Sequence, residues 1–506
     1  MDLEKFRLRR FAERLVELGE VEQHEEPVAL ADLAAIIEST PKATWFKNVG
    51  RERFEIIASV AGSRGRLAAA LGVDPSDAAL EVMRRMNAPQ PVVEVSSAEA
   101  PVHAVVRTGT EIDLMNLPFH FQHEYDGGPY ISSGIDYSVD PITGMTNAGC
   151  RRLMFRDRTT MRANLQQASD LMKSYRGCVE RGERLPVSYV LASHPIDLLA
   201  AAGIRHPIDE FALVGTLRGE PVPMVRGLTN GVLAPADAEI IVEGYFDELG
   251  YREKEGPYAE YYGFYGGVYV DPVFHVTAIT MRADVLYQSV RHAAKLLSWN
   301  ESSQLSSINS EGGMWRTLRA AGIEPSAIHG LAAANGQHVR VALRRGVPGQ
   351  ARLAIAALFA HRWVKQITVV DDDIDVFSDE EVEWAMAARF RPEGDIVTSD
   401  GHPGFAMDPQ TDGAGHIAKV AYDCTARYGV PDTVETRRPR PPHIERARRF
   451  GSVREALAAG PRTFMTLMAE LGSDDGRELM LELSELRDQG KLEQLPDGEW
   501  SLAGQS

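Results

Sequence analysis

Residues 243–264, EGYFDELGYREKEGPYAEYYGF, carry three carboxylates suited to proton chemistry: Glu243, Glu255 and Glu260. Glu255 and Glu260 bracket Gly256-Pro257, which stops a helix and forces a tight local path. Their spacing matches no helical face, where neighbours lie three or four residues apart. On one strand it would put them on opposite faces. A loop at a pocket mouth, with both carboxylates bent toward one ligand, is the remaining geometry that does chemistry. Tyr258, Tyr261, Tyr262 and Phe264 crowd the stretch. An apolar wall raises a glutamate from about 4.3 toward neutrality, where a proton donor works. The same residues also read as a solvated acidic loop beside a buried aromatic strand, and taken alone the stretch favours that plainer reading.

Other chemistry-bearing residues are fewer. Asp371, Asp372, Asp373 and Asp375 are possible metal ligands. Acid between a strand end and a helix N-terminus is also favourable by dipole and capping, and that reading is preferred. No Walker-type phosphate loop, dinucleotide glycine fingerprint, Gly-x-Ser-x-Gly or HExxH is present. Cys150, Cys178 and Cys424 give neither a disulfide framework nor a paired metal spacing. A reducing cytoplasm is the expected compartment.

The elements that must position these residues change along the chain. Residues 1–20 have Phe6, Phe11, Leu15 and Leu18 at helical spacing, and 29–39 read as a second helix. From Pro101 short strand-like pieces separated by Gly, Pro, Asp and Asn predict a barrel or sandwich, with a helix over 161–181. After about residue 325 helix and strand alternate, which predicts a parallel sheet covered by helices. Residues 437–449 hold six arginines and three prolines, a linker composition. The tail beyond reads helix, helix, hairpin, with Leu479, Leu483 and Leu486 on one face. That order suggests a small winged-helix-like module. Asp474, Asp475, Glu478, Glu482 and Glu485 make phosphate contact unfavourable there, so packing or oligomer contact is favoured over DNA.

At 506 residues, two to four domains are expected. The balance of 54 Lys and Arg against 72 Asp and Glu gives a net charge of −18, which argues against nucleic acid as a bulk partner. No apolar run is long enough to span a membrane. The amphipathic N-terminus lacks a signal peptide's apolar core.

Residues 113–152 resemble the UbiD family of prenylated-FMN-dependent decarboxylases. The motifs are Asp113-Leu114, Leu117-Pro118, Asp126-Gly127-Gly128-Pro129-Tyr130-Ile131, Asp140-Pro141, Thr143-Gly144 and Asn147-x-Gly149-x-x-Arg152. Further matches are Glu243-Gly244, Glu255-Gly256-Pro257 with Glu260, residues 369–390, and Lys419 with Asp423 and Thr425. Together they cover about residues 1–430. The resemblance implies an N-terminal α/β portion (1–105), a central split β-barrel holding the flavin (106–320), a C-terminal α/β portion (321–435), and beyond these the winged-helix-like extension (436–506).

It also implies roles. Asn147 and Glu243 match ligands of a divalent ion, manganese or magnesium, with potassium as a second ion. Arg152, Glu255 and Glu260 match the catalytic Glu-Arg-Glu set, and Arg152 also touches the cofactor. Lys419 matches a basic residue near the cofactor phosphate. The third metal ligand is usually a histidine; a gapless count from Arg152 reaches Asp170, with Gln167 one turn earlier. Where the family lines its substrate pocket, this chain offers Arg291, His292, Lys295 and Trp299. They suit an acid with an extra polar or anionic group, or they balance neighbouring carboxylates. The implied activity is reversible, non-oxidative decarboxylation of an aromatic, heteroaromatic or α,β-unsaturated acid, releasing CO2. The implied partners are a flavin prenyltransferase that supplies the cofactor and further copies of the chain in a homodimer or larger homo-oligomer. The alternative is a diverged flavin-binding protein of this fold without turnover.

Overall fold

The computed structural model describes residues 2–504 except 167–168, 204–208, 345, 406 and 428–437. Gln167 therefore lies outside the described residues. The chain forms two units, Met1–Ala426 and Arg427–Ser506.

The first unit opens with helix α1 (Leu8–Glu17), strand β1 (Val21–His24), helix α2 (Leu33–Glu38) and strands β2 (Ala43–Val49) and β3 (Phe54–Ala58). Phe11 and Leu15 of α1 are buried against Trp45 and Ile57. Leu18, read as part of the same stripe, lies past the helix end and is exposed. β1 and β2 pair in parallel, β2 and β3 antiparallel.

A six-stranded antiparallel barrel follows. Its strands are β4 (Tyr130–Val139), β5 (Thr146–Phe155), β6 (Thr160–Ala163), β7 (Leu185–Leu191), β8 (Ile240–Phe246) and β9 (Val273–Met281). They run in the order β8-β7-β4-β5-β6-β9, and β8 pairs with β9 to close the ring. Side chains alternate as a strand period of two requires. Val187, Tyr189, Val242 and Leu153 pack into one core, while Val190, Ile241, Tyr137 and Ala148 pack into another with the helices outside. Only Leu153–Phe155 of β5 pair with β6, so the edge of β5 over residues 146–152 is open on that side.

The helix expected over 161–181 begins only at Asp170, as α3 (Asp170–Arg181). Thr160–Ala163 instead form β6 between β5 and β9, because barrel closure needs a strand there. The Ser169 hydroxyl then caps α3 by accepting from Met172 N–H. Helix α4 (Glu210–Arg218) packs on the outer barrel face, capped by Asp209.

Strand β10 (Tyr287–Ser289) leaves the barrel and joins the N-terminal sheet beside β3. Helix α5 (Glu301–Ala320) leads into a five-stranded sheet. Its strands are β11 (Pro325–Gly330), β12 (His338–Leu343), β13 (Gln366–Asp371), β14 (Ile396–Pro403) and β15 (His416–Asp423), in the order β11-β12-β13-β15-β14. The three central strands are parallel, as the helix–strand alternation predicts, and both edge strands are antiparallel. Helix α6 (Gln350–Phe359) covers one face. Arg389 pairs with Asp371 at 2.8 Å and Asp373 at 2.6 Å, so these acids close an ion-pair network at a strand end.

In the second unit, residues 438–449 form no regular element. Three helices, Val453–Ala458, Phe464–Leu471 and Arg477–Asp488, precede a hairpin of Leu492–Gln494 and Trp500–Leu502. The first of the three was not expected from the sequence. Leu479, Leu483 and Leu486 are buried with Val453, Leu457 and Leu467.

Candidate active site

The two glutamates of the Glu-Gly-Pro-Tyr-Ala-Glu turn converge on one cation. Arg152, on β5, donates from Nε to Glu255 Oε1 at 2.9 Å and from Nη2 to Glu255 Oε2 at 2.8 Å. Its Nη1 donates to Glu260 Oε1. All three side chains are buried, Glu255 completely. The Tyr258 ring lies 4.8 Å from the guanidinium carbon, a cation–π contact. Tyr130 donates its hydroxyl to Glu255 Oε1 at 3.0 Å, and Asn164 donates to Asp271 Oδ2 at 3.1 Å beside it.

Local structure explains the convergence. Glu255 ends a short strand, Glu253–Glu255, paired with Tyr269–Asp271. The peptide then turns through Gly256, whose φ of +94° favours glycine. The Asp126-Gly127-Gly128-Pro129-Tyr130 motif lies against this turn: Gly127 N–H donates to Pro257 O at 2.8 Å. A Cβ on Gly127 would sit 2.1 Å from Gly256 O, so the contact admits only glycine. Two motifs 130 residues apart are thus one structural unit.

Glu260 is held between two basic partners. Its second oxygen lies 3.6 Å from His292 Nε2. Burial pushes its carboxyl up, but His292 and the Arg152 charge outweigh burial and hold it down at about 2. The aromatic wall was expected to raise it; in this resting arrangement the ion pairs win. Arg152 is raised above its ordinary value by the same carboxylates, against its own desolvation.

The other predicted residues divide. Arg291 is buried, but it turns toward α2, where its Nη2 donates to the Ile37 and Thr40 carbonyls. It therefore parts from His292, its neighbour in the expected substrate pocket. Lys419, on β15, donates to the Phe359 and His361 carbonyls at 2.9 Å each, and burial pulls its ammonium down to about 8. Glu243 shares the outer face of β8 with Ile241, where its carboxylate accepts from Leu228 N–H at 2.9 Å and Thr229 N–H at 2.7 Å. Asn147 lies on β5, three strands away around the barrel, with its amide nitrogen on Asp136. The structure does not bring Glu243 and Asn147 together.

A different carboxylate meets β5 at the residue after Asn147. Glu210, at the start of α4, accepts from Ala148 N–H at 2.6 Å on the open edge of β5. Thr146 donates to Asp209 Oδ1 at 2.7 Å and accepts from Glu210 N–H at 2.9 Å, so the residues on either side of Asn147 are clamped to this helix end. Glu210 is raised to about 7 by burial, with the charges of Asp170, Asp136 and Asp209 adding to it. Asp170 itself is exposed at the start of α3, 2.7 Å from Lys173. Among the described residues no cluster of three His, Cys, Asp or Glu side chains forms a ready metal cage. The charges of Asp170, Asp136 and Asp209 around Glu210 give this edge an excess of negative charge, and these carboxylates, with the Asn147 amide, are oxygen donors of the type a hard divalent cation takes. Sequence reasoning missed Glu210, Tyr130, Asn164 and the placement of His292 on Glu260. The Asp209-Glu210 helix start was the one local signal for Glu210.

Comparison with known proteins bears on the fold and the family. The N-terminal, Rift-related and C-terminal domains of 3-octaprenyl-4-hydroxybenzoate carboxy-lyase match residues 12–86, 93–294 and 306–424 in order. An anhydromevalonate phosphate decarboxylase from Methanosarcina mazei is 32% identical over 425 residues, 82% of this chain and 95% of the relative. A phenolic acid decarboxylase from Streptomyces sp. (strain D7) is 28% identical, over 83% of this chain and 91% of its own length. The structure of the UbiD-class enzyme HmfF from Pelotomaculum thermopropionicum in complex with FMN superposes with a TM-score of 0.80 at 28% identity, covering 86% of this chain and 97% of that one. The fold, the order of the three domains and the extent of these matches establish that the chain belongs to the UbiD family of carboxy-lyases.

Proposed function

We propose that this protein is a reversible, non-oxidative decarboxylase of an aromatic, heteroaromatic or α,β-unsaturated acid that uses prenylated FMN. The observation that carries the reading is the buried Glu255–Arg152–Glu260 set, with one guanidinium spanning both carboxylates. HmfF, reported with FMN and, in an evolved dimeric form, with prenylated FMN, supports the cofactor, and the second of these supports a dimer. The open edge of β5 from Asn147 to Arg152 spans about 17 Å at ~3.4 Å per residue, room for a mononucleotide. When bound, the cofactor supplies the electron sink that lets CO2 leave.

This chain's own residues supply orientation and the proton. Arg152 orients a substrate carboxylate by a two-pronged contact. Glu255 holds Arg152 in register and is itself fixed by Tyr130. Glu260 delivers the proton to the carbon that CO2 vacates. Asn147, Glu210 and Asp170 are the oxygen donors that would hold manganese or magnesium at the cofactor phosphate, with Glu210 in the place expected for Glu243. Relatives that act on phenolic acids and on anhydromevalonate phosphate support the acid class.

The test is CO2 release by the full chain co-expressed with a flavin prenyltransferase, on a panel of vanillic acid, 3,4-dihydroxybenzoic acid and anhydromevalonate phosphate. Glu260→Gln should abolish release while the flavin spectrum persists. Full activity in that variant would remove Glu260 from the role.

A further inference from the structure

Decarboxylation consumes one proton per turnover. The carbon–carboxylate bond breaks, CO2 leaves, and the electron pair ends in a new C–H bond. If Glu260 gives that proton, its carboxylate must recover one from water before the next cycle. Glu260 is nearly buried, and one of its oxygens is occupied by Arg152, which does not release a proton in proteins. The route back must therefore start at the other oxygen, Oε2.

That oxygen faces His292. The Nε2 to Oε2 distance is 3.6 Å, and the His292 side chain is 23% exposed against 9% for Glu260. The imidazole thus lies between the buried carboxylate and solvent. It is also fixed in place. Ser302 Oγ sits 2.9 Å from its Nδ1, which leaves Nε2 directed at Glu260. Asn300, the N-cap of α5, donates to the His292 carbonyl. Glu301 accepts from the neighbouring Arg291 N–H at 2.7 Å. The Tyr258 and Tyr261 rings flank the imidazole at 5.6 Å each. The groups facing His292 are thus Glu260 from the Glu-Gly-Pro loop, Ser302 from α5 and the two tyrosine rings. Arg152 lies beyond Glu260, and the Glu301 carboxylate is tied to Arg291 N–H and Ala61 N–H.

We propose that His292 is the proton conduit that reloads Glu260 from solvent. Once a substrate carboxylate draws Arg152 off Glu260, the imidazolium passes its Nε2 proton to Glu260 Oε2, and the neutral ring takes a replacement from water. In the carboxylating direction the same path carries the proton out. His292 acts through Glu260 and does not itself touch the reacting carbon. The assignment rests on the decarboxylase reading above.

The test uses the full-length holoenzyme with His292→Asn and His292→Ala, beside Glu260→Gln. Turnover is measured on the same acid panel. Deuterium exchange from D2O into the decarboxylated product isolates proton delivery from CO2 chemistry. Flavin content and unfolding temperature check that the variants remain assembled. Both histidine variants should lose about 10²-fold in turnover and in exchange, the usual scale of a positioned acid–base group. Added imidazole should restore His292→Ala in proportion to its concentration, and should leave Glu260→Gln inactive. Variants that exchange at the wild-type rate, or whose loss imidazole does not relieve, would overturn the proposal. A wild-type holoenzyme inert toward the whole panel would instead overturn the decarboxylase reading, and this inference with it.

Discussion

At the scale of single residues, the site is an ion-pair network whose sign is set by partners rather than by burial. Glu260 is deeply buried, yet Arg152 and His292 keep it ionised. Because its folded value is depressed, its stabilisation is full above the unfolded value near 4.5 and is lost as pH falls from there toward about 2. The stability difference between wild type and Glu260→Gln should therefore shrink from pH 5 to pH 3.5, by at most about 1.4 kcal/mol per pH unit. Urea unfolding at fixed temperature across that range measures it; a flat difference would mean the two ion pairs do not form in solution. Glu243 and Glu210 make a second comparison. Glu243→Ala leaves two backbone N–H groups of the 228–229 turn without their acceptor and should cost about 1–3 kcal/mol. It should leave bound manganese unchanged. Glu210→Ala should lower manganese per chain, as read by elemental analysis of the purified holo-protein. The opposite pattern would return the ligand role to Glu243.

At the scale of elements, two contacts position the chemistry. The first is the close approach of the Gly127 segment to the Gly256-Pro257 turn. Gly127→Ala would place a methyl group 2.1 Å from a carbonyl oxygen, so the turn must move and take Glu255 with it. A destabilisation of about 1–3 kcal/mol is expected, with a loss of turnover larger than that destabilisation explains. Denaturant midpoints measured beside kcat separate the two effects, and wild-type turnover in a destabilised variant would show that the contact is structural only. The second is the N-terminus of α4, where Asp209 caps the helix through Phe211 N–H at 3.0 Å and also accepts from Thr146. The open edge of β5 is what gives this helix end access to Thr146 and Ala148. Residues 161–169 illustrate the competition between local and distant preferences: the segment reads as helix, but barrel closure takes Thr160–Ala163 as a strand.

At the scale of the whole molecule, the chain has one unit that matches the family and one beyond it. The family domains end at residue 424, and the first unit ends at Ala426. Among the described residues, the hydrophobic core of the second unit draws on residues from 444 onward. A chain ending at Ala426 should therefore keep its flavin and a single cooperative melt; loss of either would assign the second unit a part in the site. The acid-rich helix Arg477–Asp488 predicts no mobility shift of DNA by a 438–506 fragment at physiological salt. Among the described residues no helix is long and apolar enough to cross a membrane. The sequence by itself determined the order of architectures and the leucine stripe of the tail, and its resemblance to the UbiD family singled out Arg152, Glu255 and Glu260. The first two are written in local spacing and turn residues, which short-range sterics and burial make legible; the third rests on the motifs that carry the resemblance. Only the tertiary structure decided that Glu210 meets the open edge of β5 at Ala148 while Glu243 is tied to the 228–229 turn, that Arg291 turns away from His292, and that Glu260 is paired with both Arg152 and His292. Each of those depends on which face of a strand a residue occupies after the barrel closes, and on charges brought together from 30 to more than 100 residues away. A linear sequence does not carry the barrel register that sets them.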